Sequence, residues 1–365
     1  YDAAARTWTL TARQSVPPTP GQSDKQPMPI PLAMGLLDPA GAPLPLRLAG
    51  ESPGLEGEDA TSRVLEVDAA EQRFTFVDVP APPVASLLRG FSAPVILDAG
   101  QDDAQLRFLM AHDADPFVRW ESGHTYATRL MLGLVEARST RGKGAGRALT
   151  LEPGLADAFA RTLDDPALER AFVAQTLALP AESFVGEQMA VIDVDGIHAV
   201  RQFLRKALGK RLQAHWTETY GTYRTDEPYS IEAEAIGRRA LKNLALGYLV
   251  AGGSGAGACL EQFGSASNMT DRIAALSLLA ESDLPARADA LASFYERWRG
   301  DALVIDKWFA LQAQAQRPDA LAQVRGLLGH EAFTLRNPNR VRSLIGAFAA
   351  GNPTGFHRAD GAGYA

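Results

Sequence analysis

The change in hydrophobic spacing near residue 100 constrains the fold of this chain more than any other feature. Before that point, apolar and polar residues alternate in short segments at 7–13, 64–68 and 74–79. A period of two places alternate side chains on opposite faces of a half-buried strand. Beyond that point, apolar residues recur three and four positions apart, as they do on one face of a helix. The pattern predicts a β domain followed by an all-α domain.

Residues 1–100 predict a small antiparallel β-sandwich whose strands are separated by turns. The segment 38–41, Asp-Pro-Ala-Gly, is typical of a tight turn, because Asp opens such turns and Pro fixes φ. The proline-rich run 17–31 predicts an extended linker or an edge strand, since proline cannot donate to a sheet ladder. We expect the last strand of this domain at 95–97.

Residues 101–365 predict short helices joined by brief connections. The pair Asp165-Pro166 predicts a helix start, and Ser230 is a candidate N-cap. We expect Asn268, Thr270 or Asp271 to act as an N-cap or in a turn. A long run of helices without strand signals favours a solenoid of stacked helical pairs, with a compact bundle as the alternative interpretation. The clearest apolar stripes are Ile197, Val200, Leu204, Leu208 and Leu212, and then Ile236, Leu241, Leu244 and Tyr248.

The composition excludes several classes of protein. Hydrophobic residues make up 46% of the 365 residues, yet no stretch approaches the roughly 20 consecutive apolar residues of a membrane span. The formal net charge is −7 and no basic face is evident, so we expect neither a membrane nor a nucleic-acid partner. The single cysteine, Cys259, excludes an intrachain disulfide framework, and we interpret it as a structural thiol. Low cysteine usage suits a reducing, cytoplasmic location.

Motifs that carry chemistry are missing from the sequence. The pair His330-Glu331 is followed by Ala-Phe-Thr, so the second histidine of an H-E-x-x-H zinc motif is absent. There is no G-x-S-x-G nucleophile elbow. The glycine-rich segment 142–146 lacks the spacing of a phosphate-binding loop and is interpreted as a connector between helices. We therefore predict no catalytic residue and no metal ligand in this chain.

A dense polar segment near the end of the chain stands apart from the helices around it. Residues 336–342 contain three arginines and two asparagines beside Pro338, which predicts a turn followed by a helix start. Cations at a helix N-terminus oppose the helix dipole, so the local cost suggests a purpose such as pairing with a carboxylate. The alternative interpretation is that the arginines pair with neighbouring helices of their own domain.

Several segments resemble motifs of the bacterial aminopeptidase N family, which are zinc-dependent gluzincin aminopeptidases. The most specific is Asn-Pro-Asn-Arg-Val-Arg-Ser-Leu-Ile-Gly-Ala-Phe at 337–348. Together the segments run from near the start of the chain to its end, in the order of the family. The others lie at 25–27, 91–95, 117–120, 268–271, 306–309, 352–353, 356–357 and 360–364.

The resemblance implies that this chain corresponds to the last two parts of a four-part enzyme. These parts are an Ig-like antiparallel β-sandwich over 1–100 and an all-α superhelical, HEAT/armadillo-like solenoid over 101–365, truncated at its C-terminal end. In the parent enzyme, zinc is bound by a catalytic domain that removes N-terminal residues from peptides. This chain would lack the zinc site, be inactive alone, and have as partners the catalytic and N-terminal domains of its parent chain.

The resemblance also implies a role for the helical part, which would cover the catalytic cleft and limit the access of peptide substrates. Arg340 is the best candidate for lining that cavity, where an arginine could pair with a peptide carboxylate. Asn337, Asn339 and Arg342 are weaker candidates. The competing hypothesis is an independent α-solenoid scaffold that binds a protein or peptide partner.

Overall fold

The computed structural model describes residues 1–52, 58–139, 149–225 and 227–365. They form two compact units, of which the first comprises Tyr1–Ala127 with Asp157–Thr162, and the second Thr128–Ala156 with Leu163–Ala365. The connector predicted at 142–146 lies outside the described residues. The domain boundary at residue 100 stays a prediction.

The strands of the first unit form two antiparallel sheets, one of β1 with β5 and one built on β2. Met34 in β2 pairs with Arg63 in β4 and also with Leu87 in β6, so β2 has a neighbour on both sides. The strands are β1 (Trp8–Arg13), β2 (Ile30–Leu37), β3 (Pro43–Leu44), β4 (Arg63–Val67), β5 (Glu71–Phe76) and β6 (Val84–Leu87).

The apolar faces of both sheets pack on one core. Met34 and Leu36 of β2 and Phe76 of β5 are fully buried there. The ring of Trp8 in β1 packs against Phe76, with ring centroids 5.8 Å apart. Burial of one face of each sheet against the other makes this unit a small antiparallel sandwich, as the alternating pattern predicts.

Two strand predictions were wrong in instructive ways. The segment 95–97 is not a strand, and Ile96 is fully exposed. The last strand of the sheet is instead β6 at Val84–Leu87, which pairs with β2. The proline-rich run is irregular as far as residue 29, but Pro31 belongs to β2, the central strand of its sheet. A proline at the second position of a strand removes a single donor from the ladder, which the sheet tolerates.

The helices begin within the first unit and continue to the end of the chain. None of the described helices is long and apolar enough to cross a membrane. The longer helices are α1 (Asp103–His112), α2 (Pro116–Ser139), α3 (Pro153–Asp164), α6 (Val194–Arg211), α7 (Gln213–Thr222), α8 (Ala233–Gly252), α9 (Ala256–Ser265), α10 (Met269–Glu281), α11 (Ala286–Trp298), α12 (Ala302–Gln314) and α13 (Ala320–Leu327). The short ones are α4 (Arg170–Thr176), α5 (Glu182–Glu187), α14 (Pro338–Val341), α15 (Ala347–Gly351) and α16 (Pro353–Phe356).

Helices of the second unit pack mainly on their neighbours. The stripe predicted on α6 is buried, as Val200, Leu204 and Leu208 have no exposed surface. α8 packs against α4, α6 and α7, and after it α9 packs on α10, α10 on α11, α11 on α12 and α12 on α13. Such a succession of neighbouring pairs is what stacked helical repeats produce.

Three predicted helix boundaries have different outcomes. Asn268 is the N-cap of α10, and its side chain accepts a hydrogen bond from the backbone N–H of Asp271, which confirms the prediction. Ser230 is not an N-cap, since α8 is capped at Glu232 and the Ser230 hydroxyl instead accepts from the Glu232 N–H. Asp165 ends α3 rather than starting a helix, because Pro166 opens a turn that leads to α4.

Candidate functional site

The polar segment near the end of the chain forms a capped helix start. The side chain of Asn337 accepts hydrogen bonds from the backbone N–H groups of Asn339 and Arg340, at 3.0 and 3.4 Å. Pro338 occupies the first helical position, where its missing donor is not needed. After α14 the chain makes one π-helical turn at Arg342–Gly346 before α15. Single π turns inside helices are frequent at functional sites.

Arg340 is held inside the second unit by a residue of α12. Its Nη1 atom lies 3.2 Å from Oδ1 of Asp306, and 8% and 15% of the two side chains are exposed. The guanidinium carbon also lies 5.2 Å from the ring centroid of Phe309, one turn further along α12. Arg340 thus pairs within its own domain, as the alternative interpretation of the arginine cluster describes.

The pairing of Arg340 with Asp306 leaves hydrogen-bonding capacity unused. The two charges are close enough to attract, yet their orientation is not that of a hydrogen bond. Among the described residues, Arg340 Nε and Nη1 and Asp306 Oδ1 therefore remain buried without a hydrogen-bond partner. Buried polar atoms are rarely left in this state.

An aromatic cluster fixes the helix that carries Asp306 and Phe309. His330 lies among three rings, at centroid distances of 4.8 Å from Tyr295, 5.2 Å from Trp308 and 5.7 Å from Phe309. Trp308 donates a hydrogen bond from its indole nitrogen to the carbonyl oxygen of Leu291 on α11, at 3.0 Å. Rings packed at this spacing contribute directional contacts beyond the area that they bury. Asp306 is consequently presented to Arg340 from a rigid helix.

The other predicted site residues differ in exposure. The side-chain oxygen of Asn337 accepts the capping hydrogen bonds of α14, whereas Asn339 and Arg342 are exposed. The Arg342 side chain has no hydrogen bond or ion pair to any residue in the described part of the chain. The structure brings all four residues together on one short segment. Their role in lining a substrate cavity stays a prediction.

The described residues do not suit a zinc ion. Within the ranges that the structure covers, no three side chains of His, Cys, Asp or Glu come together to hold a metal. Tetrahedral zinc sites of enzymes need three protein ligands and one open position. We therefore derive no catalytic step through zinc for residues of this chain.

Some motif residues that carry the family resemblance serve as structural joints. Asn352 is completely buried, and its amide donates to the carbonyl oxygens of Ala313 and Ala315, at 3.1 and 2.9 Å. Its side-chain oxygen accepts from the Gly355 N–H, so one residue ties the end of α12 to the start of α16. Sequence reasoning missed this role, because an Asn-Pro pair signals a turn but not its distant partners.

Family models match both parts of the chain. Residues 103–365 match the domain of unknown function described as DUF3458_C ARM repeats, and residues 1–100 match the domain described as DUF3458 with an Ig-like fold. Aminopeptidase N of Escherichia coli strain K12 is 39% identical to this chain over 367 residues. This chain belongs to the aminopeptidase N family. The recognition from sequence motifs is thereby confirmed.

The similarity extends to a second organism and to a solved structure. Aminopeptidase N of Caulobacter vibrioides is 40% identical over 307 residues, which cover 83% of this chain. A crystal structure of Legionella pneumophila aminopeptidase A in complex with aspartic acid superposes with a TM-score of 0.80 at 27% identity over the whole chain. Ig-like and ARM-repeat matches confirm the predicted fold class, in which the helices form a solenoid and not a bundle.

The chain covers only part of the length of each of these three proteins. The chain spans 40% of the length of the Escherichia coli relative and 34% of the Caulobacter vibrioides relative. It also spans 40% of the Legionella pneumophila structure.

Proposed function

We propose that this chain acts as the C-terminal region of a zinc-dependent aminopeptidase N, a cytoplasmic enzyme that removes N-terminal amino acids from peptides. In this role the chain supports and covers the catalytic cleft and limits which peptides enter it. Catalysis belongs to a separate domain of the same parent chain, which binds the zinc. Its partners are that catalytic domain, the N-terminal domain and the peptide substrates.

The match of the whole chain to 40% of an aminopeptidase N is the observation that carries this proposal. Hydrolysis of a peptide bond by such an enzyme needs a metal-activated water and a base. The described residues offer no group of three metal ligands, and this favours a supporting role for the chain over a catalytic role. When bound in the parent enzyme, zinc would supply the activated water.

The segment at 337–342 is our proposed contribution to the substrate chamber. Arg340 is anchored by Asp306, and this anchor holds the backbone that carries the exposed side chains of Asn339 and Arg342. An exposed guanidinium without a protein partner suits the carboxylate of a peptide, because its two N–H donors match both oxygens. Arg340 itself keeps two buried nitrogen atoms, Nε and Nη1, without a hydrogen-bond partner among the described residues.

Two measurements test the assignment to an enzyme. The purified chain should release no amino acid from aminoacyl-arylamides in the presence of zinc, and robust zinc-dependent release would refute the supporting role. The gene sequence upstream of the codon for Tyr1 should encode an H-E-x-x-H motif. An open reading frame that starts near Tyr1, together with a stable partner unrelated to peptidases, would instead establish the scaffold hypothesis.

A substitution tests the chamber role in the enzyme that contains this chain. We expect Arg342→Gln to raise KM for peptides with a free C-terminal carboxylate and to leave KM for aminoacyl-arylamides, which lack that carboxylate, unchanged. Arg336→Gln is the matched control, since Arg336 is equally exposed on the same segment. Equal changes in KM for both substrate types, or for both variants, would contradict the placement of Arg342 in the substrate chamber.

A further inference from the structure

A pocket of about 300 Å³ lies between three helices of the second unit. Arg201 and Arg205 line it from α6, Gly247 from α8 and Ser277 from α10. The arginines stand four positions apart and hence on the same face of α6. Like charges at this spacing repel each other, so their placement at one pocket has a cost.

The Arg201 guanidinium is fixed at one end and open at the other. Its Nε donates to the carbonyl oxygen of Pro180 at 2.9 Å. No other hydrogen bond joins the Arg201 side chain to the part of the chain that the structure describes. Its Nη atoms are not among the fully buried atoms that lack a partner, and the residue lines the pocket. The terminal donors are therefore oriented and available.

Acidic residues near the two arginines attract them without accepting a hydrogen bond from them. Nη1 of Arg205 lies 3.8 Å from Oε2 of Glu281, an ion-pair distance that is beyond hydrogen-bond reach. Glu182 lies near Arg201, but its oxygens lie 3.0 Å from His198 and 3.4 Å from Gln316. Burial, and then the charge of Arg205, lowers the pKa of Arg201, and the attraction of Glu182 and Glu281 offsets this only in part.

A larger cavity in the same unit shows the opposite arrangement. It has a volume of about 440 Å³ and lies beside the loop between α7 and α8. Most of its described basic side chains have acidic partners, such as Asp271 for Lys242 at 2.7 Å and Glu227 for Arg238 at 3.4 Å. The pocket on α6 has no acidic side chain in its described lining. The described lining of the pocket on α6 therefore carries more positive than negative charge.

We propose that the pocket lined by Arg201, Arg205 and Ser277 is a binding site for a carboxylate that carries an apolar body. The guanidinium of Arg201 binds the carboxylate, Arg205 adds charge, and the Ser277 hydroxyl donates a further hydrogen bond. The Ser277 hydroxyl is available for this bond, since it has no partner within the described ranges. This inference is independent of the proposed function, because it needs neither zinc nor a catalytic domain.

The walls of the pocket select the class of carboxylate. Leu179, Leu244 and Leu278 line it beside the two arginines. Apolar walls with a few placed polar groups are typical of small-molecule sites, and the volume is at the lower end of their range of about 300–1,000 Å³. A guanidinium binds carboxylate and phosphate alike, but the apolar walls favour an anion that carries an apolar body over inorganic phosphate. A single apolar amino acid residue with its carboxylate fits this chemistry.

Calorimetric titration of the full 365-residue chain tests the proposal. We expect N-acetyl-leucine to bind saturably and N-acetyl-leucinamide, which has the same body without the charge, to bind at least about tenfold more weakly. Free leucine distinguishes the source of the ligand: binding equal to N-acetyl-leucine indicates free amino acids, and weaker binding indicates the C-terminus of a peptide. Inorganic phosphate should bind more weakly than N-acetyl-leucine.

Three variants locate the binding. Arg205→Met should weaken N-acetyl-leucine binding about tenfold, and Arg201→Met at least as much. Gly247→Leu should abolish binding without lowering Tm, because a Cβ at Gly247 meets no atom within 4 Å and the new side chain would fill the pocket. Arg211→Gln is the matched control, as Arg211 is exposed in the last turn of α6. It should bind like the parent.

Several outcomes would overturn the proposal. They are equal binding of the acid and the amide, stronger binding of phosphate than of N-acetyl-leucine, absence of binding by any carboxylate, or parent-like binding by Arg205→Met. If Arg201→Met fails to fold because the Pro180 contact is lost, Arg205→Met and Gly247→Leu still decide the matter.

Discussion

Lys242 on α8 and Asp271 on α10 form a buried ion pair, with Nζ and Oδ2 2.7 Å apart and 9% and 6% of the side chains exposed. The other carboxylate oxygen of Asp271 accepts from the amide of Asn243 at 2.9 Å, and Oδ2 also accepts from Asn268 at 2.8 Å. Gln262 on α9 donates to the Asn243 side chain and to the Asp271 carbonyl oxygen. Three successive helices are therefore joined by one polar network.

Removal of one partner of this pair should destabilise the chain strongly. Lys242→Met leaves the Asp271 charge buried without its cation, and we expect a loss of about 3–5 kcal/mol in the free energy of unfolding. Urea denaturation followed by circular dichroism measures this loss. Lys206→Met is the control, because Lys206 is exposed on α6 and its loss should change stability by about 0.5 kcal/mol or less.

A double variant separates charge from packing. Adding Asp271→Asn to Lys242→Met removes the uncompensated charge, so the double variant should be more stable than Lys242→Met alone. Equal stability of the two variants would mean that the buried charge is not the cause of the loss.

The same carboxylate should make stability depend on acidic pH. Burial alone would raise the pKa of Asp271, but hydrogen bonds from Lys242 and Asn268 outweigh burial, and the pKa is lowered on balance. The folded state thus binds this proton less tightly than the unfolded state. The stabilisation is fully present above the ordinary Asp pKa of about 3.9 and is lost as the pH falls through the lowered value. Unfolding curves from neutral to acidic pH should show a steeper loss for the parent chain than for Asp271→Asn.

Close approach of α6 and α8 depends on Gly209. A Cβ at this position would meet the carbonyl oxygen of Tyr248 and would lie 2.8 Å from the backbone nitrogen of Gly252. Because both atoms belong to backbone, Gly209→Ala must push the helices apart, and we expect a net loss of about 1–3 kcal/mol despite the better helix propensity of Ala. Differential scanning calorimetry measures it. Gly247→Ala, with open space around its Cβ, should raise Tm or leave it unchanged.

The only thiol of the chain should be inert in the folded state. Cys259 is 1% exposed, its Sγ lies 3.3 Å from the carbonyl oxygen of Ala275, and burial raises its pKa to about 12. Since the thiolate is the reactive form, a colorimetric disulfide reagent at neutral pH should label Cys259 only after denaturation. Rapid labelling of the native chain would contradict the buried placement.

Local sequence patterns were sufficient to predict a structural feature where its cause lies within a few residues. The apolar spacing of α6 predicted which side chains are buried, and the polar residues from 268 to 271 predicted a cap or turn where α10 starts. Asn-Pro at 337–338 predicted a helix start for the same reason, although the cap by Asn337 was not predicted. The resemblance to the aminopeptidase N family likewise rested on contiguous motifs, which a sequence displays directly.

Contacts between distant segments were decided only by the tertiary structure. The strand predicted at 95–97 is absent and β6 pairs with β2, because local preference does not reveal which segment has a partner strand in the fold. The partner of Arg340 is Asp306, 34 residues away, and the open side of Arg201 depends on helices α8 and α10. By itself, the sequence determined the class of each domain, the family and the buried face of α6, whereas Ile236 of the stripe predicted on α8 is exposed. Pairing of buried charges, and the positions where charge is left unpaired, depend on distances between elements and so belong to the folded molecule.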